Sequence, residues 1–357
     1  MLPAPAAPLA QLITRPAYRR CAHPFDGNDA ARAYWRDAFL RYTDRLGGLI
    51  AAQYPRTTPA TLDAFLTALR SAIHLTTRPV DEGGAADLYE LVDMEQALLI
   101  EWGYPDPYAD IKRRENAAAL PRLAHVLAEL AAIPEMAQLD LLAGGLLAGN
   151  RFDLGAEVTA REFFDGRADF FAWRAAQPAR PWFRDDLDGW HARWERGAPY
   201  RRVLMFVDNA GADVVLGCLP LVGWMLRRGS RVTLAANSRP ALNDVTAAEL
   251  VELLAQAADF DDSIARGMGE GQLDVLETGS GTSLIDLSRL LPAFVAESSD
   301  ADLVMLHGMG RALESNSAAQ FQCDAVWTAT IKDALVAAQF GASLYDCVFR
   351  FEPIERG

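Results

Sequence analysis

The spacing of apolar residues changes along the chain, from a helical period in the first part to short strand-like runs in the second. Between about residues 28 and 148, apolar side chains recur every three or four positions, which is the period of an amphipathic helix. The predicted helices are Ala31–Ala52, Thr58–Ile73, Glu115–Ile133 and Pro134–Leu147. We therefore expect a helical N-terminal domain, set at residues 1–150.

From about residue 203, short β-rich runs alternate with helical stretches, which predicts an α/β fold with a mostly parallel sheet. The predicted strands are Val203–Val207, Val232–Ala236, Leu273–Leu276, Leu303–Leu306 and Ser343–Phe351. The predicted helices between them are Val214–Arg228, Ala247–Ala258 and, roughly, Ala325–Phe340. This α/β domain is set at residues 201–357. The segment 151–200, rich in Trp, Arg, Asp and Pro, is left as an unassigned connection.

Oxygen-bearing side chains follow the first two predicted strands. Asp208 and Asn209 come directly after the first, and Asp244 follows the second. Because adjacent parallel strands bring their carboxyl-end loops together, these side chains should converge, and two acids at one point repel each other unless a cation or proton lies between them. Hard divalent cations prefer such ligands. The pattern favours a metal site; the alternative is that these residues only cap the helices that follow.

The loops after the third and fourth strands carry glycines. Residues 277–282 read Glu-Thr-Gly-Ser-Gly-Thr and could offer backbone N–H groups to phosphate, or form an ordinary turn. The fourth strand runs into His307-Gly308-Met309-Gly310-Arg311. Arg311 could bind phosphate bidentately, or be a solvent-facing arginine after a glycine turn. Lys332, within the last predicted helix, has the pattern of a solvated side chain.

Composition narrows the choice of partners. The net charge of −14 argues against nucleic acid or an anionic membrane surface. The four cysteines show no CxxC spacing, and the histidines show no HxxxH or HExxH motif, so a cysteine or histidine zinc site is not expected. The N-terminus lacks the pattern of a signal peptide, and no apolar run is long enough to span a bilayer. We expect a cytoplasmic protein; its oligomeric state is left open.

Taken in order, several stretches resemble the metal-dependent damage-control phosphatases, and specifically the subfamily fused to the C-terminus of pantothenate kinases or found as stand-alone proteins. The likeness covers roughly residue 84 to the end. The matching stretches are DPYADIKRRENAAAL, LAGNRFDLGA, VDNAGAD, NSRPALNDVT, GSGTSLIDLSRL, HGMGR and IKDALVAAQFGASLYDCVFRFE. The resemblance implies an α/β fold with a Rossmann-like, mostly parallel sheet and an N-terminal α-helical domain.

The resemblance also implies roles for individual residues. Asp208, Asn209 and Asp244 match ligands of a divalent metal (Mn²⁺, Ni²⁺, Co²⁺ or Mg²⁺) and count as catalytic, together with Asp213 and Lys332. Asp213 could orient or deprotonate a water. The substrate contacts that the resemblance implies are Asn243, Gly308, Met309, Gly310, Arg311 and Asn316. The subfamily's signature loop usually begins with Glu, where this chain has His307.

The implied activity is hydrolysis of a small phosphorylated metabolite, namely 4′-phosphopantetheine or its oxidised or sulfonated forms. Two alternatives are a sugar-phosphate phosphatase of the same family and a non-catalytic regulator that binds a metabolite. A third is a carboxyl methyltransferase, which would need a nucleotide-type cofactor pocket and would leave the paired acids unexplained.

Overall fold

The first part of the chain folds into helices. The computed structural model describes residues 6–14, 18–21, 23–151 and 169–354. Between residues 28 and 148 it contains no strand, and its helices are α1 (Asp29–Gln53), α2 (Pro59–Thr76), α3 (Leu88–Glu101), α4 (Ala109–Ala131) and α5 (Gln138–Asn150). Helix α2 begins as its sequence predicts, because the Thr58 hydroxyl accepts from the Thr61 N–H at 3.2 Å and Pro59 takes the first position.

The second part is built on one seven-stranded sheet within the described residues. The strands are β1 (Arg184–Asp185), β2 (Arg202–Phe206), β3 (Arg231–Ala236), β4 (Leu273–Glu277), β5 (Leu303–His307), β6 (Asp324–Thr330) and β7 (Cys347–Glu352). Their order is β1-β7-β6-β5-β2-β3-β4. Neighbouring strands from β6 to β4 pair in parallel, and β7 is antiparallel to β6. The predicted α/β fold with a mostly parallel sheet is confirmed.

Helices cover the sheet and link its strands. They are α6 (Phe170–Ala175), α7 (Leu187–Arg196), α8 (Leu219–Arg227), α9 (Ala247–Ala257), α10 (Asp262–Gly269), α11 (Pro292–Glu297) and α12 (Ala334–Phe340). Two π-helical turns occur, at Asp213–Cys218 before α8 and at Gly310–Ser315 after β5. A capping box of Thr246 and Glu249 fixes the start of α9.

Both faces of the inner strands β2 and β5 are buried, which explains why these two strands are almost continuously apolar. On β2, Val203 and Met205 pack into one hydrophobic core, with helices α4, α5, α7, α8 and α9. The alternate residues, Leu204 and Phe206, pack into a second core, which includes the N-terminal segment and parts of α1 and α3. Helices α1–α3 also share a smaller core of their own. The domain boundary at residue 150 remains a prediction.

The sequence interpretation was wrong at the end of the chain. Residues 325–340 were expected to form one helix, but 324–330 form the buried strand β6 and only Ala334–Phe340 are helical. A strand buried on both faces shows no period-2 alternation, so its apolar run resembles a buried helix. Lys332 therefore lies between β6 and α12 rather than within a helix. Strand β7 begins at Cys347, later than the predicted Ser343.

The sheet topology creates a crevice between the loops that follow β2 and β5. The chain leaves β2 towards β3 and β4 on one side, and returns to place β5 on the other side of β2. The loops after β2 and β5 therefore leave the sheet in opposite directions, and the crevice between such loops is the usual ligand site of a parallel sheet. The loops after β2 and β5 begin at Val207 and Gly308.

Candidate functional site

The loops after β2 and β3 are joined by backbone hydrogen bonds. Asn209 and Asp244 form an isolated β-bridge. The Ala210 N–H donates to the Asn243 carbonyl at 2.9 Å, and the Val245 N–H donates to the Asp208 carbonyl at 3.0 Å. These bonds bring Asp244 beside Asp208, as predicted from the adjacent strands. The hydrogen bond from Ala210 gives Asn243 a structural role through its backbone carbonyl.

The carboxylates of Asp208 and Asp244 share one positive partner. The Arg311 guanidinium donates through Nη1 to Asp208 Oδ1 and through Nη2 to Asp244 Oδ2, the latter at 2.9 Å. All three side chains are buried. Asn237 supports Asp244 through its Nδ2, at 3.3 Å from Oδ2. Arg311 was expected either to bind phosphate or to face solvent, and here it neutralises the acid pair.

The glycines of the loop after β5 allow this close approach. Gly308 has φ +98°, and a Cβ there would lie 2.2 Å from the Asp208 carboxylate. A Cβ on Gly310 would lie 2.5 Å from the Ser283 carbonyl oxygen. Any side chain at Gly308 would therefore displace Asp208, and only glycine takes that backbone conformation without strain.

Asp213 lies at the centre of a second, fully buried network. Its Oδ1 is 2.7 Å from His307 Nε2, and His307 Nδ1 is 2.8 Å from Thr328 Oγ1. Its Oδ2 accepts from the backbone and side-chain nitrogens of Asn209, at 3.1 and 2.9 Å. Burial opposes ionisation of Asp213, but the neighbouring His307, Asn209 and Lys332 outweigh it and hold the pKa of this carboxyl below its usual value.

Asn150, at the end of α5, connects the two networks. Its Nδ2 donates to Asp208 Oδ2 at 2.9 Å and to Asp213 Oδ2 at 3.2 Å. Its backbone carbonyl accepts from Lys332 Nζ at 2.7 Å, and Lys332 is buried. The interpretation of Lys332 as a solvated side chain is thus wrong. Lys332 reaches the site by way of Asn150.

Asn316 holds the loop after β5 in place. Its Nδ2 donates to the carbonyls of Arg311 and Ile285, at 2.9 and 3.2 Å, and its Oδ1 accepts from the Tyr18 hydroxyl at 2.6 Å. Asn316 is fully buried. Its contacts suit a support for Arg311, and the substrate contact expected of it remains a prediction.

A solvent-open cavity lies beside these residues, with about 1150 Å³ of space not filled by protein atoms, part of which is open solvent. Asp208, Asn209, Asp244, Met309 and Gly310 line it on the side of the sheet edge. The opposite wall is contributed by α1, α3 and the segment before α4, and it is mainly apolar. The residues of that wall include Trp35, Phe39, Tyr42, Leu88, Val92, Leu99, Pro105 and Tyr108, with the polar residues Glu95, Gln96 and Asp106 among them.

The donor set at the sheet edge fits a hard divalent cation. Asp208 and Asp244 already direct oxygens at one positive group, and Asn209 lies between Asp208 and the Asp213 network. A different group of possible metal donors is Asp213, Cys218 and His307, whose ligand atoms lie within 4.8 Å of one another. In that group both His307 nitrogens have hydrogen-bond partners, and burial raises the pKa of the Cys218 thiol well above its usual value. The oxygen set is therefore the better fit.

Sequence reasoning missed three members of the site. Asn150 lay within a stretch that carries the family resemblance, LAGNRFDLGA, but nothing in its spacing marked it. Thr328 was hidden in a predicted helix. Glu95 is one of several acids on an amphipathic helix, and only the packing of α3 against α1 shows that it is buried.

The fold and the site define the class of protein. The chain belongs to the damage-control phosphatases, since the ARMT1-like damage-control phosphatase domain matches residues 32–348. It is 38% identical over 278 residues to a damage-control phosphatase of Arabidopsis thaliana, covering 78% of this chain and 75% of that protein. It is also 38% identical over 319 residues to pantothenate kinase 2 of the same plant, covering 82% of this chain but 35% of the kinase.

Two further relatives extend the comparison. The chain is 29% identical over 374 residues to the 4′-phosphopantetheine phosphatase of Mus musculus, which covers 90% of this chain and 46% of that protein. A crystal structure of a DUF89 family protein from Pyrococcus horikoshii matches 88% of this chain and 96% of that one, with a TM-score of 0.58 and 14% identity. That likeness concerns the fold. Among the described residues, no helix is long and apolar enough to cross a membrane.

Proposed function

We propose that this chain is a divalent-metal-dependent phosphatase that hydrolyses small phosphomonoesters, with 4′-phosphopantetheine or its oxidised or sulfonated forms as substrate. The observation that carries the proposal is the pair of buried carboxylates, Asp208 and Asp244, which converge on one positive group at the wall of a large cavity. Membership of a phosphatase family, with a 4′-phosphopantetheine phosphatase among the relatives, supports it.

In this proposal Asp208, Asn209 and Asp244 hold the cation, which would be Mn²⁺, Ni²⁺, Co²⁺ or Mg²⁺. The chemistry that such an ion supplies is polarisation of the phosphoryl group. Arg311 keeps the two acids together and places a fixed positive charge beside the phosphoryl oxygens. Gly308 and Gly310 let the loop after β5 pack closely against Asp208 and Ser283, which keeps Arg311 next to the acids. Fixed charges of this kind stabilise the transition state because they need no reorganisation during reaction.

Asp213 and Lys332 support this arrangement from beneath. Both carboxylate oxygens of Asp213 have protein partners, so we propose that Asp213 positions Asn209 and Asn150. Lys332 adds positive charge at the same point and balances the surrounding acids. Without Asp213 and Lys332, the side chains that line the cavity would be free to rotate away from the phosphate.

Phosphate release from a panel of phosphomonoesters tests the proposal. The panel holds 4′-phosphopantetheine, its oxidised and sulfonated forms, and several sugar phosphates, each assayed with Mn²⁺, Co²⁺, Ni²⁺ or Mg²⁺ and again with a chelator. We expect metal-dependent release, fastest from the pantetheine series. Preference for sugar phosphates would favour the alternative phosphatase, and no release under any condition would favour a non-catalytic regulator.

A further inference from the structure

Glu95 is a buried acid in the apolar wall of the cavity, away from the charged networks. It lies on α3, its side chain is 7% exposed, and it lines the same cavity as Asp208 and Asp244. Its Oε2 has no hydrogen-bond partner among the described residues. Buried polar atoms in folded proteins are nearly always paired, so an unpartnered one in a cavity wall points to a partner supplied by a ligand.

The surroundings of Glu95 favour its neutral form. Burial raises its pKa to about 8, and the positive charge of Arg45 only partly opposes this. Near neutral pH the side chain is therefore mainly a carboxylic acid, which carries one O–H donor. A ligand group that meets it must accept a hydrogen bond, and a negatively charged group would be disfavoured in this apolar wall.

Gln96 supplies a second polar group to the cavity. Its Nε2 donates to the Pro105 carbonyl at 3.2 Å, which commits the donor end of the side chain to the protein. The oxygen end is then the part that can accept a bond from a ligand. Both residues line the cavity, among aromatic and aliphatic side chains. A donor on Glu95 and an acceptor on Gln96 suit the carbonyl and N–H groups of uncharged amides.

We propose that Glu95 binds an uncharged amide in the tail of the phosphomonoester substrate, and so selects amide-bearing tails over purely hydrocarbon ones. This inference rests on the proposed function, because it assumes that the phosphate lies at the sheet edge while the tail crosses to the helical wall. It identifies α3 as a determinant of specificity in addition to the sheet-edge loops.

The test compares two substrates in matched variants. Steady-state kinetics are measured for 4′-phosphopantetheine, whose tail contains amides, and for octyl phosphate, whose tail does not. Glu95→Met removes the donor at similar volume, and Glu95→Gln keeps a neutral donor. Glu101→Gln, at an exposed position on the same helix, is the control. We expect Glu95→Met to lower the ratio of the two kcat/KM values at least tenfold, mainly through KM, and Glu95→Gln to restore it to within about threefold.

An unchanged ratio in Glu95→Met, including one that results from an equal fall for both substrates, would overturn the proposal. If that variant does not fold, Glu95→Asp shortens the side chain by one methylene and should still lower the ratio. Binding of pantetheine, which has the tail but no phosphate, separates this proposal from the proposed function. Should the wild type release no phosphate, calorimetric binding of pantetheine that is lost in Glu95→Met would still support the amide site. Equal or absent binding in both proteins would refute it.

Discussion

The sheet edge and helix α3, on two walls of the cavity, treat buried acids in opposite ways. At the sheet edge, Asp208, Asp244 and Arg311 are buried as charged groups that hydrogen-bond one another. On the helical wall, Glu95 is buried without such a partner for its Oε2. Buried ions are tolerated when they are paired, whereas an isolated acid becomes neutral. One wall is therefore suited to a charged phosphate, and the other to an uncharged tail.

Neutralising Asp208 should have the largest effect on kcat, because it removes one of the two paired carboxylate charges at the sheet edge. We expect Asp208→Asn to lower kcat by about 10³-fold, since it removes a carboxylate that we propose holds the cation that polarises the phosphoryl group. Excess metal should not restore activity. Phosphate release under saturating metal checks this, with Asp259→Ala at an exposed position as the control. Wild-type turnover in Asp208→Asn would end the metal-site interpretation. Asp208→Ala is a poorer test, because it also leaves a void where the buried side chain was.

The two lysines of the chain, Lys112 and Lys332, offer a matched comparison, because both are buried. Lys332→Met should lower kcat about 10²-fold, because it removes the positive charge that holds Asn150 and balances the buried acids behind the site. Lys112 pairs with Asp106 and Glu249, at 2.9 and 2.7 Å; Asp106 lines the helical wall of the cavity, and Glu249 belongs to the capping box of α9. Lys112→Met should instead lower the free energy of unfolding by about 3–5 kcal/mol, with kcat within about threefold of the wild type.

Thermal unfolding and kcat are measured on both lysine variants at the same metal concentration. The comparison fails if Lys332→Met keeps near-normal kcat/KM on the best substrate. Lys332 would then be a structural lysine, like Lys112.

Replacing His307 by Glu tests the buried hydrogen-bond network around Asp213. In this chain His307 hydrogen-bonds to Asp213 where neither side chain is exposed. His307→Glu would place a second carboxyl against Asp213 and should destabilise the fold by about 3 kcal/mol, whereas His307→Gln should be milder because it keeps a donor. Denaturant unfolding of the two variants measures the difference. Equal stabilities would mean that Asp213 is held by Asn209 and Asn150 alone.

The outcome of the sequence analysis differs between the same two walls. Asp208, Asn209 and Asp244 could be found from the sequence, because strand ends in a parallel sheet meet at one edge and the residues there are polar. The helical wall gave no such signal, since an acid on an amphipathic helix is usually solvated. The burial of Glu95 depends on how α3 packs against α1, and that contact is not encoded in the local pattern. The same limitation applied to β6, where burial on both faces removed the alternation that identifies a strand.

The smallest predicted effect is a pH-dependent change in the free energy of unfolding, which is caused by the titration of Glu95 on the helical wall. Burial raises the pKa of Glu95 to about 8 in the folded state, against about 4.3 in an unfolded chain. Between these values the unfolded state ionises while the folded state keeps its proton, so Glu95 contributes less and less stability as the pH rises. Glu95→Gln does not titrate. Relative to this variant, the wild type should lose about 2–3 kcal/mol of unfolding free energy between pH 5 and pH 7. Urea titrations at several pH values measure the difference, and the exposed Glu101→Gln should show no such trend. If the difference between the wild type and Glu95→Gln is constant over this range, Glu95 is ionised in the folded protein, and the helical wall is as charged as the sheet edge.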